Sequence, residues 1–312
     1  MSLALIAVGW TLLVLPGLAY RWLRSGTPAE TVALATAALA SGFLALEAGL
    51  FTAAAPTVLR SAGLTGLAAA CQRMFNSLAV GGPVAGWIAA AAFVGTLGGA
   101  AYGLLHARTL RARSRVEPGL GEHHTAWEFS LVILPTSVPV AYSVGGSGTQ
   151  IVISRGLVRF LTDGELDVLL AHEAAHLRSR HDRYLTLGAL IHTAARWLPG
   201  VGPSVAVMRV ALERSADEDA AAGTPDRRLA LRRALVATAC AELPSAVAAF
   251  GPADGILERA TALQRPPPHD SPRREFAAWT TVMLLTGLGV GVLAVWVAET
   301  HAVLAMAGYC AS

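Results

Sequence analysis

A chain of 312 residues that is 54% hydrophobic and 14% charged, with a mean hydropathy of +0.52, departs from soluble globular proteins, where about a quarter of residues carry charge. A net charge of +3 is too small for direct nucleic-acid binding. Three widely spaced cysteines form neither a zinc knuckle nor a disulfide framework.

Four apolar stretches read as long enough to cross a bilayer, which takes ~20 residues. The first, residues 3–20, has no basic start and no small-residue cleavage site, so we read it as a retained span. The second is 31–51, the third lies within 79–105 with its body at 82–105, and the fourth is 276–298. Glu47, near the outer end of the second span, reads as an interfacial acid reaching the headgroups. Glycines four apart (Gly82/Gly86, Gly95/Gly99/Gly103 and Gly287/Gly291) predict close packing between helices of one chain.

Residues 106–275 differ in kind. They hold 20 of the 24 arginines and 18 of the 21 acids, in a chain without lysine. The expected division is a three-span membrane region (1–105), a soluble domain (106–275), and a fourth span with a short tail (276–312). Arginine clusters at 21 and 24, at 108–115 and at 265–274 flank the spans. By the positive-inside rule they place the soluble domain in the cytoplasm and both termini outside. Cys71 and Cys310 then share the oxidising side, where a disulfide between them is expected, while Cys240 stays reduced. The proline-rich stretch 265–272 reads as a stiff return to the membrane.

Within this domain, residues 139–157 read as a hairpin: Val140–Val144 and Gln150–Ser154 are β-rich and Gly145–Gly148 is the turn. An open edge there could take up an extended peptide by strand addition. Thr162-Asp163-Gly164-Glu165 is a capping box. It opens a helix carrying His172-Glu173-Ala174-Ala175-His176, the H-E-x-x-H pattern. Histidines four apart share one helix face and can converge on one ion, with Glu173 beside them to reach a water. A second helix, expected from a Ser204 cap to Gly223, carries Glu213 and Asp217, again four apart. Glu213 is the expected third zinc ligand and Asp217 the acceptor that orients a ligand histidine. His181, His123 and His124 are candidates for a further oxyanion donor, and Asp182 and Arg178 read as structural ion-pair partners.

The segments "AYSV…QIVISRGL", "HEAAHLRSRHD" and "ERSADEDA" together resemble the membrane-embedded gluzincin metallopeptidases of the BlaR/MecR type. The E-x-x-A-D element is shared with the HtpX and CAAX-protease gluzincins. Three spans before the zinc domain and one after resembles the BlaR type, whereas HtpX-like proteins have two and two. The resemblance implies a polytopic α-helical membrane protein of four spans with a cytoplasmic α+β gluzincin-like zinc metallopeptidase domain, in a bacterial cell membrane. It implies one catalytic Zn2+ held by His172, His176 and Glu213, with Glu173 as general base and Asp217 behind the ligands. It further implies a protein or peptide substrate, such as a BlaI-like repressor or the chain itself. An HtpX-like quality-control protease and a non-catalytic zinc-bearing sensor are the alternatives. Fourteen residues follow the fourth span, and no S-x-x-K with K-T-G is among them. Direct β-lactam sensing is therefore not expected.

Overall fold

The computed structural model describes residues 2–74, 82–117, 119–146, 148–240, 253–266 and 271–310. Helices α1 (Ser2–Leu18) and the one-turn α2 (Tyr20–Leu23) lead into α3 (Pro28–Ser61), α4 (Thr65–Met74) and α5 (Gly82–Arg113). Strands β1 (Glu122–Ala126), β2 (Phe129–Leu134), β3 (Ala141–Val144) and β4 (Gln150–Ser154) follow. The chain then continues through α6 (Arg155–Phe160), α7 (Asp163–Arg178), α8 (His181–Ala195), α9 (Val201–Ala221), α10 (Pro225–Cys240), α11 (Ala253–Ala262) and α12 (Pro272–Cys310).

Three helices among the described residues are long and apolar enough to cross a membrane: α3, α5 and the Pro272–Ala298 part of α12. Helix α1 is apolar but has 17 residues, a rise of about 26 Å against a ~30 Å hydrocarbon core. Helix α3 is the axle of the bundle. A capping box starts it, Thr27 accepting from the Glu30 N–H while Glu30 accepts from the Thr27 N–H, and most of its apolar window is buried. The outer helices instead show large apolar side chains, among them Val84, Ile88 and Val94 on α5 and Phe276, Met283 and Leu284 on α12. Such continuous apolar exposure is what lipid covers.

Close approach is where glycine matters. At Gly9 on α1, a Cβ would lie 2.5 Å from the Leu46 backbone nitrogen, so α1 and α3 touch backbone to backbone. Of the glycines singled out from sequence, Gly86 abuts Thr57, and Gly99 and Gly103 abut α8; Gly82, Gly95, Gly287 and Gly291 have nothing within 4 Å of a Cβ. Glu47 is 8% exposed and lies beside Thr96 of α5. The interfacial position expected for it is thus corrected, because α5 packs across that face of α3.

One apolar core crosses the expected boundary at residue 105. Leu13, Leu39, Leu46 and Ala89 from the bundle pack with Ile191, Ala195, Val205, Met208 and Leu212 from α8 and α9. The α8–α9 turn reaches the middle of α1, where Trp10 Nε1 donates to the Pro199 carbonyl at 3.2 Å, and at the end of α1 Gly17 N donates to Ser204 Oγ of α9 at 2.9 Å. Helix α9 starts at Val201 with Gly200 as its cap. Ser204, expected to be the cap, is fully buried and ties α9 to α1 instead.

The sheet has the order β1-β2-β4-β3, with β2 and β4 parallel and the other pairs antiparallel. The expected hairpin is present as β3–β4, in the register Ala141↔Ile153 and Val144↔Gln150. Strands β1 and β2 have no counterpart in the sequence reading. Ile151, Ile153, Leu157 and Phe129 pack against Ala174 and Leu177 of α7. Strand β3 is an edge and lies against α7.

Cys71 is buried against Leu59 and Leu67 and forms no disulfide among the described residues. The side chains of Cys240 and Cys310 lie outside the described residues, as do positions 267–270 of the proline-rich return. The expected Cys71–Cys310 bond therefore falls on a side chain outside the described residues.

Candidate metal centre

The capping box at Thr162 is formed as its residue types dictate. Thr162 N donates to Glu165 Oε2 at 3.0 Å, and Thr162 Oγ1 accepts from Glu165 N at 3.4 Å. It fixes the start of α7, so the 3.6-residue period sets which face His172 and His176 share. Their Nε2 atoms lie 3.1 Å apart. Glu213, three turns into α9, brings Oε2 to 3.6 Å from His172 Nε2 and Oε1 to 3.6 Å from His176 Nε2. Ligand atoms about 2.0–2.1 Å from a tetrahedral zinc lie about 3.3 Å from one another. The two imidazole nitrogens, 3.1 Å apart, lie near that value, each Glu213 oxygen stands 3.6 Å from one of them, and one ligand atom from each of the three residues lies within 4.8 Å of the others, a possible metal group. Two imidazoles and one carboxylate are also the donor set of catalytic zinc sites.

Each ligand histidine has a partner behind it. His172 Nδ1 lies 3.0 Å from Asp217 Oδ1, an ion-pair contact whose angle is poor for a hydrogen bond. His176 Nδ1 lies 2.9 Å from Nδ1 of His181, the first residue of α8. A proton on His176 Nδ1, donated to His181 Nδ1, leaves His176 Nε2 free to bind an ion. Arg180, with φ of 52°, turns the chain so that His181 returns beneath α7. His181 is 4% exposed. It supports His176, which corrects its candidacy as an oxyanion donor. His123 and His124 are exposed on β1, the sheet edge far from α7. Asp182 pairs with Arg111 of α5 at 3.5 Å, and Arg178 is exposed.

The electrostatics follow from burial and charge. Burial opposes charging His172, but the Asp217 and Glu213 carboxylates outweigh it and raise its pKa to about 9. Burial lowers His176 and His181 to about 4 each, neighbouring imidazoles adding to the effect. Burial alone would raise Glu213, yet His176 and Arg259 pull it down to about 2. Asp217 is likewise held well below the carboxylate range by Arg259 against the cost of its burial. Glu173, beside the ligands and 9% exposed, is pushed up by burial. That is the direction a general base near neutral pH needs. Ser143 of the edge strand β3 lies near enough to its carboxylate to favour the charged form in part.

Arg259 and Ser143 are absent from the sequence reading. Arg259 comes from α11, where "ILERATA" carries no motif. Ser143 stands in a strand that was foreseen, but its facing Glu173 depends on how β3 lies along α7.

A helix-borne H-E-x-x-H pair, a carboxylate on a second helix and an edge strand alongside make a metallopeptidase-like arrangement, here docked on apolar helices. Residues 107–248 match the model of Peptidase family M48. The chain is 35% identical over 78 residues to the plastoglobule-localized metallopeptidase 48, chloroplastic, of Arabidopsis thaliana, covering 24% of this chain and 23% of that one. It is 36% identical over 76 residues to a protease HtpX homolog of Pyrococcus abyssi, covering 22% and 26%, and 34% identical over 70 residues to protease HtpX homolog 2 of Methanosarcina acetivorans, covering 22% and 24%. The chain thus spans about a quarter of the length of these relatives. No solved structure matches.

Proposed function

We propose that this protein is a membrane-embedded zinc endopeptidase whose centre is His172, His176 and Glu213. The observation that carries the reading is the convergence of these three donors beside Glu173. Zinc held there would supply Lewis acidity to polarise a water and the scissile carbonyl. Glu173 takes the proton of the attacking water and returns it to the leaving nitrogen. The free edge of β3 pairs with an extended substrate backbone, which fixes the scissile bond along α7. In Glu173→Ala, zinc content should match wild type while casein and self-cleavage fall at least 100-fold. Equal cleavage by both would remove Glu173 from the chemistry, and a wild-type protein without zinc would remove the metal centre.

In our reading the protease is regulatory, with domain limits at 105 and 275, α1 as a fourth span, the peptidase domain cytoplasmic and the termini outside. Arginine placement supports that orientation, and the span order supports a BlaR/MecR-like role on a BlaI-like repressor. The HtpX homologs favour a second reading, cleavage of damaged membrane proteins, which fits the site equally well. Co-expression with each substrate type separates the two: repressor loss alone supports the first, loss of a misfolded membrane protein alone the second. A Cys71–Cys310 bond belongs to the same topology, and a free-thiol count unchanged by reduction would exclude it.

A further inference from the structure

Arg259 meets the metal centre from behind. Its Nε donates to Asp217 Oδ2 and its Nη2 to Asp217 Oδ1, both at 2.8 Å, a fork-to-fork pair. Its Nη1 lies 2.9 Å from Glu213 Oε2, and Nη2 stands 3.5 Å from His172 Nε2. One guanidinium therefore engages both acids of α9 at once. Only arginine has a rigid planar fork of donors that can do this.

Helix α11 is firmly seated, so the fork has little freedom. Glu258 accepts from the Tyr20 hydroxyl and pairs with Arg214 at 3.9 Å. Arg228 Nη2 donates to the Ala262 carbonyl at 3.0 Å. Leu263, just past the helix, packs with Val168 and Ala171 of α7 and Ala220 of α9. The helix that delivers Arg259 is thus held by the two helices that carry the ligands, by α10 and by α2.

We propose that Arg259 is a positioning residue of the metal centre: it holds Glu213 by Oε2, so that Oε1 is presented to the ion, and it locks Asp217 behind His172. The proposal rests on the zinc reading above. Asp217 is 2% exposed. A carboxylate so buried keeps its charge and its aim only with a cation on its other side, and partners behind metal ligands commonly set metal affinity by 10–100-fold.

The test uses the full chain in detergent: wild type, Arg259→Lys and Arg259→Met. Zinc affinity is read by chelator competition and ligand geometry by the visible spectrum of the Co2+-loaded proteins, with the thermal transition of the metal-free proteins as a control for folding. Arg259→Met should lose zinc affinity by about tenfold or more and shift the Co2+ bands. Arg259→Lys keeps the charge without the fork, so it should fold, bind zinc less tightly than wild type and also show shifted bands. Unchanged affinity and bands in Arg259→Lys would overturn the proposal even if Arg259→Met failed to fold. Tighter zinc binding in Arg259→Met would overturn it too, by showing that the guanidinium competes with the ion. No zinc in wild type would instead defeat the underlying reading, a result distinct from wild-type binding with indifferent variants.

Discussion

His172 is where the acids of α9 act most directly. Asp217 and Glu213 hold its pKa near 9 against burial, so without an ion it is charged at pH 7. Zinc needs the bare ring nitrogen, and binding must displace that proton. Zinc affinity should therefore rise about tenfold per pH unit between about 7 and 9, then level off. Calorimetry in buffers of different ionisation enthalpy should show about one proton released at pH 7, and a flat affinity would contradict the raised value. Folding of the metal-free protein carries the same linkage. A folded value raised above the usual 6.5 stabilises the fold fully below about 6.5, and that contribution is lost as pH climbs through about 9.

At the scale of elements, short-range chemistry was legible. The Thr162 box, the helical spacing of His172 and His176, the β3–β4 hairpin and the Glu213/Asp217 pair all follow from residues within one or two turns of each other. Replacing Thr162 with Ala should cost about 1 kcal/mol, seen as a lower midpoint in thermal unfolding, with the zinc ligands unaltered. What remained hidden depends on contacts across the chain. Strand β2 pairs in parallel with β4, and no local pattern announces that. Ser204 has the residue type of a helix cap, but its hydroxyl is taken by Gly17. Arg259 lies 42 residues from Asp217, on a helix with nothing in its own sequence to aim it at the site.

For the whole molecule, hydropathy separated the apolar spans from the charged middle, but it could not show that they share a core. Ile191, Met208 and Leu212 pack against Leu39 and Leu46, and α5 runs from an apolar start to Arg111, which grips Asp182 and Thr186 of α8. The segment 106–275 made alone should therefore leave the α8–α9 face of that core without its bundle partners and form aggregates or need detergent. A monodisperse, detergent-free product in size exclusion would show that the shared core is dispensable.

The α8–α9 turn beside Trp10 has one more consequence. Since α7 leads into α8, and α9 carries Glu213, the metal centre is held at a fixed offset from α1. Under the function proposed above, an endopeptidase built this way would act as a depth gauge, choosing peptide bonds by how far they stand from the bilayer more than by the residues around them. Substrates tethered to a span through spacers of increasing length should be cut best at one length, with rates falling on either side; equal cutting at every length would mean that the chain is read by its side chains alone.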